Sequence, residues 1–266
     1  MTLPIGLRRA LGVIMVIALA ILYVPLLLVV LNSFNSSRTF GFPPTGFTLD
    51  WWQKAANSSG ALSSLGTSVL AGLCAMLIAL VLGSMAAFAV QRFRFFGRST
   101  ISFLVVLPIT LPGIVTGIAL NATFLSVGVQ FGIATVIIGH ATFCIVIVFN
   151  NVQARLRRMG SSLEEASADL GASAWQTFWM VTFPSIRGAL VAGALLAFAL
   201  SFDEIVVTTF TAGPDVQTLP LWIFANLFRP NQAPVVNVVA AVLTIVAIIP
   251  VWIAQRLSGD AVSSRV

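Results

Sequence analysis

Clustered carboxylates and a single histidine are the residues that could do chemistry within an otherwise apolar sequence. Asp203 and Glu204 stand side by side near the end of an apolar run. Carboxylates in such a run are costly unless they face water, a partner or a cation. Neighbouring helical positions point about 100° apart, so only one of the two is expected to be able to face a water-filled path. Asp203 is favoured for that role, opposite a cationic solute. In the alternative reading, the pair lies at a membrane interface and caps or salt-bridges locally. Acids along a path suit ammonium groups and oppose sulfate or phosphate. His140, the only histidine, is read as a neutral imidazole hydrogen-bonded between helices, with gating or proton-sensitive transport as the alternative. A lone histidine makes no metal site, and no metal ligand set is expected. No nucleophile stands with a base, so no catalytic residue is assigned and an intramembrane acyltransferase or protease is not expected. Cys74 and Cys144 fall inside apolar runs and read as small core residues rather than a disulfide.

A second acidic cluster lies in Ser161-Ser162-Leu163-Glu164-Glu165-Ala166-Ser167-Ala168-Asp169-Leu170-Gly171. Ser161 with Glu164, and Ser162 with Glu165, each fit a capping box, in which hydroxyl and carboxylate satisfy orphan N–H groups. Acids in a first turn also favour the helix dipole. Gly171 is a natural left-handed stop. Ser173 followed by Gln176 starts a second helix by the same capping logic, and Pro184 is expected to break it. Ala166, Ser167 and Ala168 leave room for a partner to approach the backbone, whereas Trp175, Phe178, Trp179 and Phe183 suit a membrane interface. An amphipathic surface helix with no partner is the alternative.

The elements that position these clusters follow from composition. Of 266 residues, 58% are apolar and 8% charged, against roughly 25% charged in an ordinary soluble domain. A bilayer core needs about 20 apolar residues per helix. Six stretches qualify, at 10–31, 63–90, 101–126, 131–150, 186–208 and 235–255, within one membrane domain spanning 1–266. Arg8 and Arg9 before the first stretch mimic a signal peptide, but the stretch is too long for one and is expected to stay as the first span. Pro108 and Pro112, one turn apart, should kink or break the third span; Pro25 and Pro250 fall in the first and last. A tight turn is expected near Gly128.

The net charge of +6 reflects position rather than nucleic-acid binding. Arg8, Arg9, Arg92, Arg94, Arg98, Arg155, Arg157, Arg158, Arg187, Arg256 and Arg265 fall on one side of the spans; Arg38, Lys54 and Arg229 fall on the other. The positive-inside rule then places both termini, and the 151–185 loop, in the cytoplasm.

Glu165-Ala166-Ser167, three residues, Gly171, nine residues, then Val181-Thr182-Phe183-Pro184 resembles the EAA loop of ATP-binding-cassette (ABC) importer permeases. Ser167 replaces the second alanine of that pattern and Phe183 a leucine. The resemblance implies an all-α integral membrane protein with six transmembrane helices and the type I importer-permease (MetI-like) fold. It implies that Glu164, Glu165, Ala166, Asp169, Gly171 and Pro184 belong to a coupling segment docked on an ATPase. No Walker A pattern occurs, so ATP and Mg would sit on that partner and this chain would bind no cofactor.

Further stretches resemble the spermidine/putrescine class of these permeases. They are Asn32-Ser33-Phe34-Asn35-Ser36-Ser37, His140-Ala141-Thr142-Phe143-Cys144, Ser201-Phe202-Asp203-Glu204, Thr211-Ala212-Gly213-Pro214 and Leu219-Pro220. Some members carry an acid directly after the second proline of the third helix, where this chain has Gly113. The resemblance implies half of a polyamine pathway in the bacterial inner membrane, with Asp203 and Glu204 along it. Partners would be a second homologous permease, an ATPase dimer and an extracytoplasmic binding protein. The last could dock on the 219–228 stretch with Trp222, Phe224 and Phe228, which reads as a re-entrant or interfacial outer helix. Other importer cargoes remain open: another organic cation, an amino-acid-like compound or ferric ion. A self-contained secondary transporter would favour an inverted repeat, and no clear one is visible.

Overall fold

The computed structural model describes residues 4–229 and 231–246. Pro250, Arg256, Arg265 and the far end of the 235–255 span lie outside the described residues. Every regular element among the described residues is a helix, and the residues cluster into two compact units.

One unit holds the described residues up to Leu62 and from Ile223 onward. Its α1, Ile5–Asn32, is an apolar helix with Pro25 inside it. Asn32 ends α1 by turning its amide back onto the Leu28 carbonyl at 2.9 Å. The loop that follows is built on Asn35, whose Oδ1 accepts from Ser37 N, Thr45 N and Thr45 Oγ1 at 3.1–3.2 Å. Trp51, on α2 (Asp50–Ala56), donates its indole N–H to the Asn35 carbonyl at 2.9 Å. The 32–37 stretch is therefore the scaffold of a structured loop, with its polar groups satisfied internally.

The other unit, Ser63–Trp222, contains both acidic clusters. It begins within α3, Ser59–Arg92. The expected third span is broken into α4, Arg98–Thr110, and α5, Gly113–Ser126, bent by 107°. Leu111 precedes Pro112 and takes the extended conformation (φ −81°, ψ 144°) that a following proline imposes. Gly128 supplies the left-handed turn after α5 (φ +70°). The next helix, α6 (Ile133–Met159), is the axis of the unit: more than half of its apolar stretch is buried, twice the share for α3. It outruns the expected 131–150 span and absorbs the start of the expected 151–185 loop.

Two short helices follow, α7 (Ser162–Asp169) and α8 (Ala174–Thr177), then a π-helical turn, Phe178–Thr182, then α9, Phe183–Phe202. Pro184 does not break this region. Phe183 N–H bonds back five residues to the Phe178 carbonyl. The widened turn accommodates a residue with no N–H of its own, so 174–202 runs as one long helix. The expected 186–208 span then stops at Phe202 and resumes as α10, Val206–Thr211. Later come α11, Leu219–Asn226, and an apolar α12, Ala233–Val246.

The described residues hold four helices long and apolar enough to cross a membrane, five when α4 and α5 count as one bent span. The core of the 63–222 unit joins α3, α6, α9 and α10 through Ala79, Phe149, Val152, Ala197 and Val207. Small residues set the closest approaches. An added Cβ at Gly83 would lie 2.8 Å from the Ile145 carbonyl oxygen, and one at Gly193 would lie 3.4 Å from Val148 Cα.

Candidate functional site

The first site is the segment between α6 and α9. Neither expected capping box opens α7: Ser161 makes no side-chain cap. Glu164 turns away instead and accepts from Arg92 Nη2, in the last turn of α3, at 3.0 Å. Arg92 Nε lies 3.0 Å from the other carboxylate oxygen, though its N–H is not aimed along that line. Thr182 Oγ1, in the π-helical turn, donates to Glu164 Oε1 at 2.8 Å. The reason is competition: water can serve an exposed first-turn N–H, whereas a half-buried guanidinium offers a charge-assisted bond. One carboxylate thus fastens α7 to α3 and to the long helix. The second box, Ser173 with Gln176, forms as expected, with bonds of 3.3 and 2.8 Å.

Glu165, Ala166, Asp169 and Gly171 all face outward. Beside them Leu163 is 53% exposed and Leu170 is 89% exposed. Gly171 takes φ +83°, and an added Cβ there would meet nothing. It is required for its left-handed backbone, not for space. Ser167 Oγ lies 3.0 Å from Thr177 Oγ1, tying α7 to α8 across the turn. Trp175, Phe178, Trp179 and Phe183 form one aromatic cluster with neighbouring ring centroids 5.0–6.4 Å apart, joined to α3 through Phe88.

The second site is the break between α9 and α10. Asp203 ends α9 with its backbone N–H on the Ala199 carbonyl at 3.2 Å, and its side chain is exposed, with no hydrogen bond or ion pair to the carboxylate among the described residues. Glu204 is half-buried, and its Oε1 accepts from Val207 N at 2.9 Å, capping the start of α10. Local capping therefore describes Glu204, whereas Asp203 is left open. Glu204 sits beside the other broken helix. A recess of about 150 Å³ is lined by Pro108, Ile109, Leu111 and Gly113 on that side and by Leu200, Glu204 and Val207 on this one.

The short α10 is held from two directions. Asn121 of α5 donates to the Phe210 carbonyl at 2.7 Å, and Thr135 of α6 donates to the Thr211 carbonyl at 2.7 Å. His140, fully buried on α6, bonds Ser201 Oγ through Nδ1 at 2.7 Å and Thr208 Oγ1 through Nε2 at 2.8 Å. The sequence marks His140 as an interhelical imidazole but not its partners. Arg92 and Thr182 escape notice for the same reason: Arg92 lies 72 positions from Glu164, and only the fold brings them together.

The geometry has relatives. Residues 79–263 match the binding-protein-dependent transport system inner membrane component family. The chain is 33% identical over 261 residues to the putrescine transport system permease protein PotI of Escherichia coli (strain K12), covering 96% of this chain and 92% of that one. It is also 33% identical over 241 residues to the spermidine/putrescine transport system permease protein PotC of the same organism, covering 91% and 90%. In three dimensions it resembles a chain from the crystal structure of a bacterial ABC transporter involved in import of the acidic polysaccharide alginate. That likeness has a TM-score of 0.70 at 17% identity and covers 98% of this chain and 99% of that one, which bears on fold alone.

Proposed function

The chain belongs to the binding-protein-dependent transport system inner membrane components, and from that premise we propose that it forms half of a polyamine pathway in an ABC importer. It does no bond-making chemistry. ATP and Mg are handled by a partner ATPase dimer, a second homologous permease completes the path, and an extracytoplasmic protein delivers the solute. Both termini and the 160–185 segment lie in the cytoplasm. Residues 1–266 act as a single permease domain.

The observation that carries this reading is the outward face of α7 and the Gly171 turn, fastened from behind by Glu164. Glu165, Ala166, Asp169 and Gly171 present the docking surface. Glu164 and Thr182 pass its displacement to α3 and to the long helix, and Pro184 sits where that helix widens. Movement of the ATPase then shifts helices instead of flexing a free loop. At the far end of the long helix, Asp203 and Glu204 supply negative charge for ammonium groups. Glu204 lines the recess at the broken helices, and irregular backbone at membrane depth is tolerated where it lines a cavity or is buried in protein, which supports this reading. The substrate class rests on the two Escherichia coli relatives together with these acids.

Gly171→Val tests the coupling. The four-part importer, reconstituted in liposomes, should assemble at wild-type yield but lose putrescine uptake and binding-protein-stimulated ATP hydrolysis by at least about tenfold, because a β-branched residue resists positive φ. Coupled transport at the wild-type rate would remove the turn from the mechanism. Uptake by this chain without any ATPase would instead show a self-contained transporter.

A further inference from the structure

Between α9 and α10 the chain leaves the helix for three residues, and the two carboxylates occur within that interval. Breaks of this kind leave backbone groups without helical partners, and something must hold the two helix ends in register. Here the holding group is His140. Its ring reaches one residue on each side of the break: Ser201, in the last turn of α9, and Thr208, in the first turn of α10.

The hydrogen-bond directions follow from counting protons. Thr208 Oγ1 donates its only proton to the Glu204 carbonyl at 2.7 Å. It can therefore only accept from His140, so Nε2 carries a hydrogen. In a neutral ring Nδ1 then carries no hydrogen and accepts from Ser201 Oγ. The ring is the Nε2–H tautomer, and a continuous chain runs Ser201 to His140 to Thr208 to the Glu204 carbonyl. Glu204 closes the turn by capping Val207 N.

We propose that His140 is a positioning residue for the pathway, fixing the turn that aims the Asp203 and Glu204 carboxylates. This rests on the reading of those two acids as pathway groups. His140 touches no solute; it acts through Thr208 and Ser201. Removing any link should leave the helices packed, because Thr135, Asn121 and the Gly139 contact with Val207 still hold α10. What should change is the aim of the acids.

The test measures solute imported per ATP hydrolysed by the assembled importer, with putrescine and spermidine as probes. Thr208→Val keeps shape and removes the hydroxyl. It should lower the ratio about fivefold, the scale of one lost buried hydrogen bond, while binding-protein-stimulated ATP hydrolysis stays near wild type. Thr208→Ser should restore the ratio. Ser201→Ala should fall with Thr208→Val, and the double variant should be no worse than either alone. Parallel loss of hydrolysis and uptake would mark a general structural role and overturn the proposal.

Asp203→Asn and Glu204→Gln separate the two layers. If neither changes the ratio, the pathway reading fails. If they lower it and Thr208→Val does not, the His140 proposal alone falls. A wild-type measurement stands beside these. With 15N-histidine in this chain only, the single imidazole should show a protonated Nε2 and a bare Nδ1; the opposite tautomer would overturn the assignment.

Discussion

At the scale of single residues, the informative contrast is between Glu164 and Glu165. They are neighbours in sequence and equally suited to a first turn, yet one is turned inward to Arg92 and Thr182 and the other outward. Exposed ion pairs contribute about 0–1 kcal/mol, but bonds to a partly buried charge reach about 1.5–3 kcal/mol. Glu164→Gln should therefore lower the thermal midpoint of the purified importer and reduce uptake several-fold. Arg92→Gln should do the same, with a double variant far from additive, whereas Glu165→Gln should leave the midpoint unchanged. Equal midpoints for Glu164→Gln and Glu165→Gln would mean that the clamp carries no load. The acidic cluster and Gly171 were legible because capping residues and left-handed turns are local. The clamp was not, because nothing in local spacing says that a carboxylate prefers a distant arginine to its own helix.

At the scale of elements, apolar length and proline placement located most of the helices, and the break at Pro112 followed from the constraint on the preceding residue. Pro184 obeyed the same chemistry with the opposite result. A proline removes one N–H, and a chain can answer by stopping or by widening one turn; tertiary packing of Thr182 and Phe178 selects the second. The α9–α10 break was harder to see, since no proline or glycine marks it and apolar residues resume directly after Asp203 and Glu204. Close helix approaches are equally silent in sequence, where Gly66 and Gly83 look alike. Gly83→Ala should displace α3 from α6, because the added carbon meets backbone at Ile145 and Phe149, at a cost of about 1–3 kcal/mol. Gly66→Ala, with open space around it, should not. Yield and melting of the assembled complex in detergent compare the two; matched behaviour would contradict the α3–α6 packing.

At the scale of the whole molecule, the distribution of arginines gives an orientation that labelling can check. Leu170→Cys, 89% exposed, should react with a membrane-impermeant maleimide only from the cytoplasmic side, and Phe42→Cys, 73% exposed, only from outside. Cys74 and Cys144 give little background, being half-buried and buried. Reversed sidedness would invert the topology and overturn the proposal that the 160–185 segment docks on an ATPase. The long helix has one more consequence. It starts three residues after Gly171 and ends one before Asp203, 29 residues without interruption, or roughly 40 Å at 1.5 Å per residue. Such a rod conveys torsion as well as thrust: a twist at one end arrives at the other with its phase intact. Its residue count then behaves like the tooth count of a gear. One residue more or fewer would turn the far end by about 100° while leaving both sites chemically whole.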